Sequence, residues 1–297
     1  MNTIIDAWDR FWFSSNREDS LKTLAAFRVC FCFVLFVFYV TRQFDVSFLY
    51  GENGIFPAHY AASQPQLKYH LSLLYFVHSD FLLNGLHFLL LLFLGFSVLG
   101  LFTRFSLLAA YILHLSFIHR NPSVMFGMDM ISTFFLFYLC FARSNAYFSL
   151  DQKLFKNVPR KSTTISFLAH RLMQLQICVI YAFSGMEKLK GTRWWDGSAM
   201  WDVMSIGTMQ RWDMSFLSHI PFLLSLGGYI VILWEIYFSF LVWQPKLKKY
   251  VLGMGALMHI GIWLFMNLPG FGFMMISLYI LFLSGDEISK LLRLSDS

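Results

Sequence analysis

Apolar residues run along this chain in eight long stretches, at positions 22–41, 82–102, 105–119, 124–142, 165–187, 221–243, 249–268 and 271–285, separated by more polar breaks. A helix needs about 20 apolar residues to cross the hydrocarbon core of a bilayer. The pattern therefore predicts an all-α, polytopic helical membrane protein with about eight transmembrane helices. The stretches at 105–119 and 271–285 are short, and His114 interrupts the first of them. Residues 105–142 read either as two short spans or as a re-entrant pair. The Arg120-Asn121-Pro122 turn, with its helix-breaking proline, favours two spans. Leu24 to Val40 follows a leader of mixed charge and has no small-residue cleavage site, so it is expected to be an uncleaved span.

Two of the breaks are too long and too patterned for simple connectors. Residues 42–81 contain Tyr50-Gly51-Glu52-Asn53-Gly54-Ile55-Phe56-Pro57 and then an apolar run from Leu71 to Val77. Residues 188–220 contain Trp194-Trp195-Asp196-Gly197-Ser198, followed by Met200, Val203 and Met204 at helical spacing. Both are expected to be structured extracytoplasmic loops over the mouth of the bundle. In the leader, Ile4, Trp8, Phe11 and Trp12 recur at helical spacing. That pattern predicts a cytoplasmic interfacial leader over 1–20, a multi-pass membrane domain over 21–285 and a cytoplasmic tail over 286–297.

Composition agrees with this reading. Of 297 residues, 57% are hydrophobic and only 13% are charged, against about 25% charged in soluble domains. That excludes an ordinary cytosolic globule, a disordered chain and a nucleic-acid binder, and it makes the lipid bilayer the expected partner. The net charge of +6 gains meaning from its placement. Fourteen basic residues (Arg10, Arg17, Lys22, Arg104, Arg143, Lys153, Lys156, Arg160, Lys161, Lys246, Lys248, Lys249, Lys290, Arg293) share a side with the termini in an eight-span arrangement. Six (Arg42, Lys68, Arg120, Lys190, Arg193, Arg211) fall on the other side. The positive-inside rule then predicts a protein of the cell (inner) membrane with N and C termini in the cytoplasm. The four cysteines lie in apolar runs without CxxC or Cys/His spacing, and no HxxxH or HExxH motif accompanies any histidine. No metal site is expected.

A charge inside a bilayer needs a reason. In the fifth stretch Arg171, Gln174, Cys178, Tyr181, Gly185 and Lys188 advance by steps of three and four, which lays them along one helix face about 25 Å long. Such a stripe should face the bundle interior, where Arg28, Asp129, Glu235 and His259 could meet it. For Arg28 and Glu235 the reading is open between helix-pinning pairs and a functional role. Asp129 reads as a helix N-terminal charge or a member of the interior group, and His259 as a core histidine or a ligand contact. Lys188, at the end of a span beneath a tryptophan-rich loop, is either a snorkelling interfacial lysine or a desolvated amine able to act as a base.

Several of these residues occur together in one known family. Arg171-Leu172-Met173-Gln174-Leu175-Gln176, Tyr181, Ser184-Gly185-Met186-Glu187-Lys188-Leu189 and Trp194 with Gly197 resemble the signature of the HTTM membrane domain, the family that contains the vitamin K-dependent γ-carboxylases. Tyr50, Gly54 and Pro57, the Arg120-Asn121-Pro122 turn with Gly127, and Glu235 before a basic loop fit the same pattern, so the likeness covers about residues 20–285. The resemblance implies a quinone- or lipid-linked, carboxylase-like enzyme that works with a reduced quinone at the outer membrane face. Lys188 would be the amine base, and Arg171, Gln174, Tyr181, Glu235 and His259 would shape the substrate chamber. Three features depart from the carboxylases: Pro122 stands where they carry a histidine, Glu187-Lys188 replaces paired lysines, and their extracytoplasmic β-rich domain is absent. A complete peptidyl-glutamate carboxylase is accordingly not implied. The alternative expectation is a non-catalytic membrane protein that acts on a small peptide or protein partner, of the toxin-maturation or immunity type.

Overall fold

The computed structural model describes residues 8–9, 11–12, 19–63, 71–155, 158–207 and 211–292. Among these every regular element is helical and none is a strand. Each of the eight apolar stretches lies on one main helix: α1 (Asp19–Thr41), α2 (Asp80–Leu99), α3 (Thr103–Arg120), α4 (Gly127–Phe141), α5 (Thr164–Lys190), α6 (Pro221–Leu241), α7 (Lys248–Met266) and α8 (Pro269–Leu278), the last running on as a 3-10 turn to Phe282. Shorter helices are named below by their residues. Five of the eight, α1, α2, α5, α6 and α7, are long and apolar enough to cross a membrane. The other three fall short for visible reasons. Arg104, His114, His119 and Arg120 dilute α3, Pro122 and an extended Phe126 delay the start of α4, and α8 loses its α-geometry after Leu278. Most of the expected leader over 1–20, and residues 293–297 of the expected tail, lie outside the described residues. The described part of the tail begins with a short helix, Gly285–Leu291, capped reciprocally by Ser284 and Glu287.

The chain divides into two compact units, Met1–Arg171 with Leu283–Ser297, and Leu172–Phe282. In the first, α1 packs on α2, α2 on α3 and α3 on α4. The core includes Phe27, Phe31 and Phe135, with ring centroids 5.1–6.1 Å apart. The tail helix also belongs here. It is tied to α1 by the Thr23 hydroxyl, which donates to Leu283 O, and by Lys22, which donates to Ser289.

Arg28, fully buried on α1, sits among main-chain oxygens. Its Nε donates to Ser144 O (3.1 Å), Nη1 to Val98 O (2.8 Å) and Ser97 O, and Nη2 to Phe148 O (2.6 Å). Ser97 and Val98 are at the C-terminal end of α2, where carbonyls lack helical partners and carry partial negative charge. Gly100 ends that helix with φ +67°, and a Cβ there would meet Ser149 and the guanidinium itself. Asp129 also has partners within this unit, on one oxygen only: its Oδ1 has no hydrogen-bond partner among the described residues. Its Oδ2 accepts from Phe126 N–H (2.8 Å) at the start of α4 and lies 3.6 Å from Arg42. Arg28 and Asp129, expected from the sequence as members of the interior group, thus find these partners within their own unit. Carbonyls left free by helix ends and a helix N-terminus neutralise them first.

The Arg120-Asn121-Pro122 turn holds the loop after α1. Arg120 donates to Phe56 O (2.7 Å) and Asn121 to Leu49 O (2.6 Å). That loop contains the helices Val46–Tyr50 and Ala58–Ser63 and the 3-10 turn Leu73–Phe76, while residues 64–70 lie outside the described part.

At the far end of α3, Asp151 caps the helix. It accepts from the N–H groups of Phe102 (2.7 Å) and Thr103 (3.0 Å), the Thr103 hydroxyl (2.7 Å) and Asn145 (3.2 Å). Burial pushes its carboxyl up, but the hydrogen bonds outweigh burial and hold it below the ordinary carboxylate value. A value lower in the folded than in the unfolded chain means that the stabilisation is present above about pH 4 and is lost as pH falls through the folded value. Asp151→Asn is expected to cost about 1–2 kcal/mol at pH 7. The gap from wild type should close as the pH is taken towards 3, which thermal unfolding in detergent at stepped pH measures.

In the second unit the C-terminal part of α5 runs with α6, α7 and α8. Gly185 lets α6 approach closely, since a Cβ there would lie 2.7 Å from Ile236 and 3.2 Å from Glu235. The Ser239 hydroxyl on α6 donates to Cys178 O on α5 (2.7 Å). Asn267, in the left-handed region at φ 52°, and Pro269 turn α7 into α8. Between α5 and α6 come the helices Thr192–Trp195 and Ala199–Met204 and the 3-10 turn Ser215–His219. Met214, Leu217 and Leu224 pack there with Met200, Trp201 and Met204.

Candidate functional site

The second unit encloses a cavity of about 440 Å³, within the range typical of small-molecule sites. Its wall is almost wholly apolar. Met200, Met204, Met258, Met266 and Met275 contribute flexible thioethers, and Phe265, Phe271 and Trp194 contribute rings. The polar groups in the wall are few, and all come from α5, α6 and α7: Tyr181, Ser184, Lys188, Glu235 and His259.

Lys188 and Glu235 form a close pair. The Lys188 Nζ donates to Oε1 and Oε2 of Glu235, each at 2.8 Å, and to the Ser184 hydroxyl oxygen at 2.7 Å. Ser184 is one turn before Lys188 on α5, and its own hydroxyl is 3.2 Å from Glu235 Oε1. The three hydrogens of an ammonium group are thus all accepted. The Trp194 ring lies over the amine, 5.4 Å from Nζ to its centroid. Glu187, next to the lysine in sequence, turns away and pairs with Lys190 at 2.6 Å.

A second polar group closes another part of the wall. The Tyr181 hydroxyl is 2.7 Å from His259 Nε2 and 2.6 Å from the Tyr279 hydroxyl. His259 is only 3% exposed, and its Nδ1 has no hydrogen-bond partner among the described residues. Gly255 on α7 makes the arrangement possible, because a Cβ there would collide with the Tyr279 hydroxyl and the Trp234 ring.

Of the six residues singled out in the sequence, four line this cavity: Lys188, Tyr181, Glu235 and His259. Arg171 and Gln174 do not. Arg171 stacks on Phe11 and Phe167 and donates to Phe11 O, while Gln174 donates to Leu281 O at 2.7 Å. The regular spacing on α5 is real, but its first half is satisfied by main-chain oxygens and rings. Ser184 has only its i−4 position relative to Lys188 to signal, in the sequence, that it partners the ammonium. Tyr279, within the last apolar stretch and just past the end of α8, carried no signal at all. No protein-family description, curated protein or solved structure matches this chain, so the case for a site rests on this geometry.

Proposed function

We propose that the chain is an eight-span, HTTM-type protein of the inner membrane with both termini in the cytoplasm, and that its second unit is a quinone- or lipid-linked, carboxylase-like enzyme. In this reading a reduced quinone or related lipid occupies the cavity and Lys188 is the base. Five helices able to span a membrane and the placement of the basic residues support the topology. The observation that carries the function is the Lys188–Glu235 pair, set in the wall of an otherwise apolar cavity.

A pair that merely joined two helices would be as well served by apolar packing, since desolvation offsets much of the attraction between buried charges. Placed against a cavity, the same pair can move a proton. The ammonium is no base until it gives one up, and the Glu235 carboxylate, in direct contact, is the acceptor at hand. Transfer from Nζ to Oε leaves an amine beside a carboxylic acid, two neutral groups that an apolar wall tolerates. Ser184 and Trp194 keep the amine in place. A reduced quinone supplies a weakly acidic hydroxyl, and the chain's part is to receive that proton at Nζ.

The cavity fits such a group in two respects. Its wall suits an apolar ring and tail, and one buried nitrogen, Nδ1 of His259, is left without a partner that a ligand oxygen could provide. Purification in mild detergent followed by mass spectrometry of the organic extract is expected to show a co-purifying quinone or lipid. Lys188→Ala should reduce quinone turnover at least about 100-fold with expression unchanged, in line with the removal of a positioned base. If no small molecule co-purifies and Lys188→Ala leaves turnover and phenotype intact, the enzyme reading falls. The partner-directed role of the toxin-maturation or immunity type would then take its place.

A further inference from the structure

Tyr279, Tyr181 and His259 form a chain of three hydrogen-bonding groups with two possible directions. In the first, the Tyr279 O–H donates to the Tyr181 oxygen and the Tyr181 O–H to His259 Nε2. The neutral imidazole then carries its proton on Nδ1, and this N–H is the one donor left over. In the second, His259 Nε2–H donates to Tyr181 and Tyr181 to Tyr279. That leaves two groups without partners, the Tyr279 hydrogen and the Nδ1 lone pair. Buried groups without partners are costly, so the first direction is favoured. It also leaves its single orphan on a residue that lines the cavity, whereas Tyr279 is not part of the wall.

We infer that the cavity's ligand is an apolar molecule bearing a ring oxygen (a hydroxyl oxygen in a reduced quinone, a carbonyl oxygen in its oxidised form), which accepts a hydrogen bond from Nδ1–H of His259, and that Tyr181 and Tyr279 are positioning residues that fix this tautomer. The inference rests on the reading of the cavity as a ligand site and adds the atom that orients the occupant. Two poles of the wall then have separate tasks. The Lys188–Glu235 pair handles a proton, and His259 recognises an oxygen. Gly255 is needed because Tyr279 reaches Tyr181 only where no Cβ stands in its way.

The test compares two probes on the purified full chain in detergent. One is a short-tailed oxidised 1,4-naphthoquinone, and the other is the tail-matched naphthalene lacking both oxygens. Equilibrium dialysis gives the affinities, and infrared difference spectra give the carbonyl stretch of the bound quinone. His259→Asn places an amide nitrogen about where Nδ1 stands, while His259→Gln places one near Nε2. Wild type should bind the quinone more tightly than the hydrocarbon and shift its carbonyl stretch to lower frequency. H259Q should lose about tenfold in quinone affinity together with the shift, H259N should retain most of both, and the hydrocarbon should bind all three alike. Tyr279→Phe should weaken quinone binding about twofold, by freeing the imidazole to adopt either tautomer. Equal affinities of wild type for the two probes, or an unaltered affinity and stretch in H259Q, would overturn the inference alone. Failure of wild type to bind either probe would overturn the ligand-site reading itself.

Discussion

Glu235→Leu is expected to cost the second unit about 3 kcal/mol of stability, and Lys188→Met a similar amount, because each leaves its partner charged and unpaired in an apolar wall. The double variant should recover most of that loss and lie within about 1 kcal/mol of wild type, since apolar groups of similar volume commonly replace a buried pair without penalty. Thermal unfolding in detergent of all four proteins gives the coupling energy. Activity should not follow stability. The double variant restores packing between α5 and α6 but has no amine at position 188, so any quinone turnover should be as low as in Lys188→Met. Recovery of both properties together would mean that the pair only pins the helices.

Arg28→Met should have an effect of comparable size in the first unit, about 3–5 kcal/mol. The substitution strands four carbonyls at once, those of Ser97, Val98, Ser144 and Phe148. Lysine should rescue little of the loss, because an ammonium has three donors and no planar fork to reach oxygens on both sides. Loss of protection in the amides of residues 142–150 under hydrogen exchange, with α6 and α7 unaffected, would locate the damage. If Arg28→Met unfolds at the wild-type temperature, the guanidinium is not what holds this segment.

These two residues also show how far the sequence could be read. That Arg28 and Glu235 need partners follows from their place in apolar runs, and for Glu235 the helical spacing on α5 offered a basic neighbour, Lys188. Pairing across helices, however, is decided by packing. Arg28 finds no carboxylate, because carbonyls at the end of α2 and in the 144–148 segment are nearer, and nothing in the residue types announces a free carbonyl. The helices themselves were legible, since hydropathy marks their extent and Pro221 and Pro269 mark the starts of α6 and α8. The stripe on α5 was legible as a face, but periodicity gives direction without neighbours. Arg171 and Gln174 therefore shared a face with Lys188 without sharing its cavity. Tyr279 was invisible because its importance depends on Gly255, a residue distinguished only by what it lacks.

The opposite charges of Lys188 and Glu235 have an electrical consequence. A cavity whose ion pair cancels presents no net charge to an incoming neutral molecule, and proton exchange within the pair displaces charge over only a few ångströms. The membrane voltage acts on charge multiplied by the fraction of the field it crosses. For the proposed neutral occupant, entry and exit would therefore be indifferent to whether the membrane is energised, and only a proton leaving the pair for one aqueous side would draw on the potential.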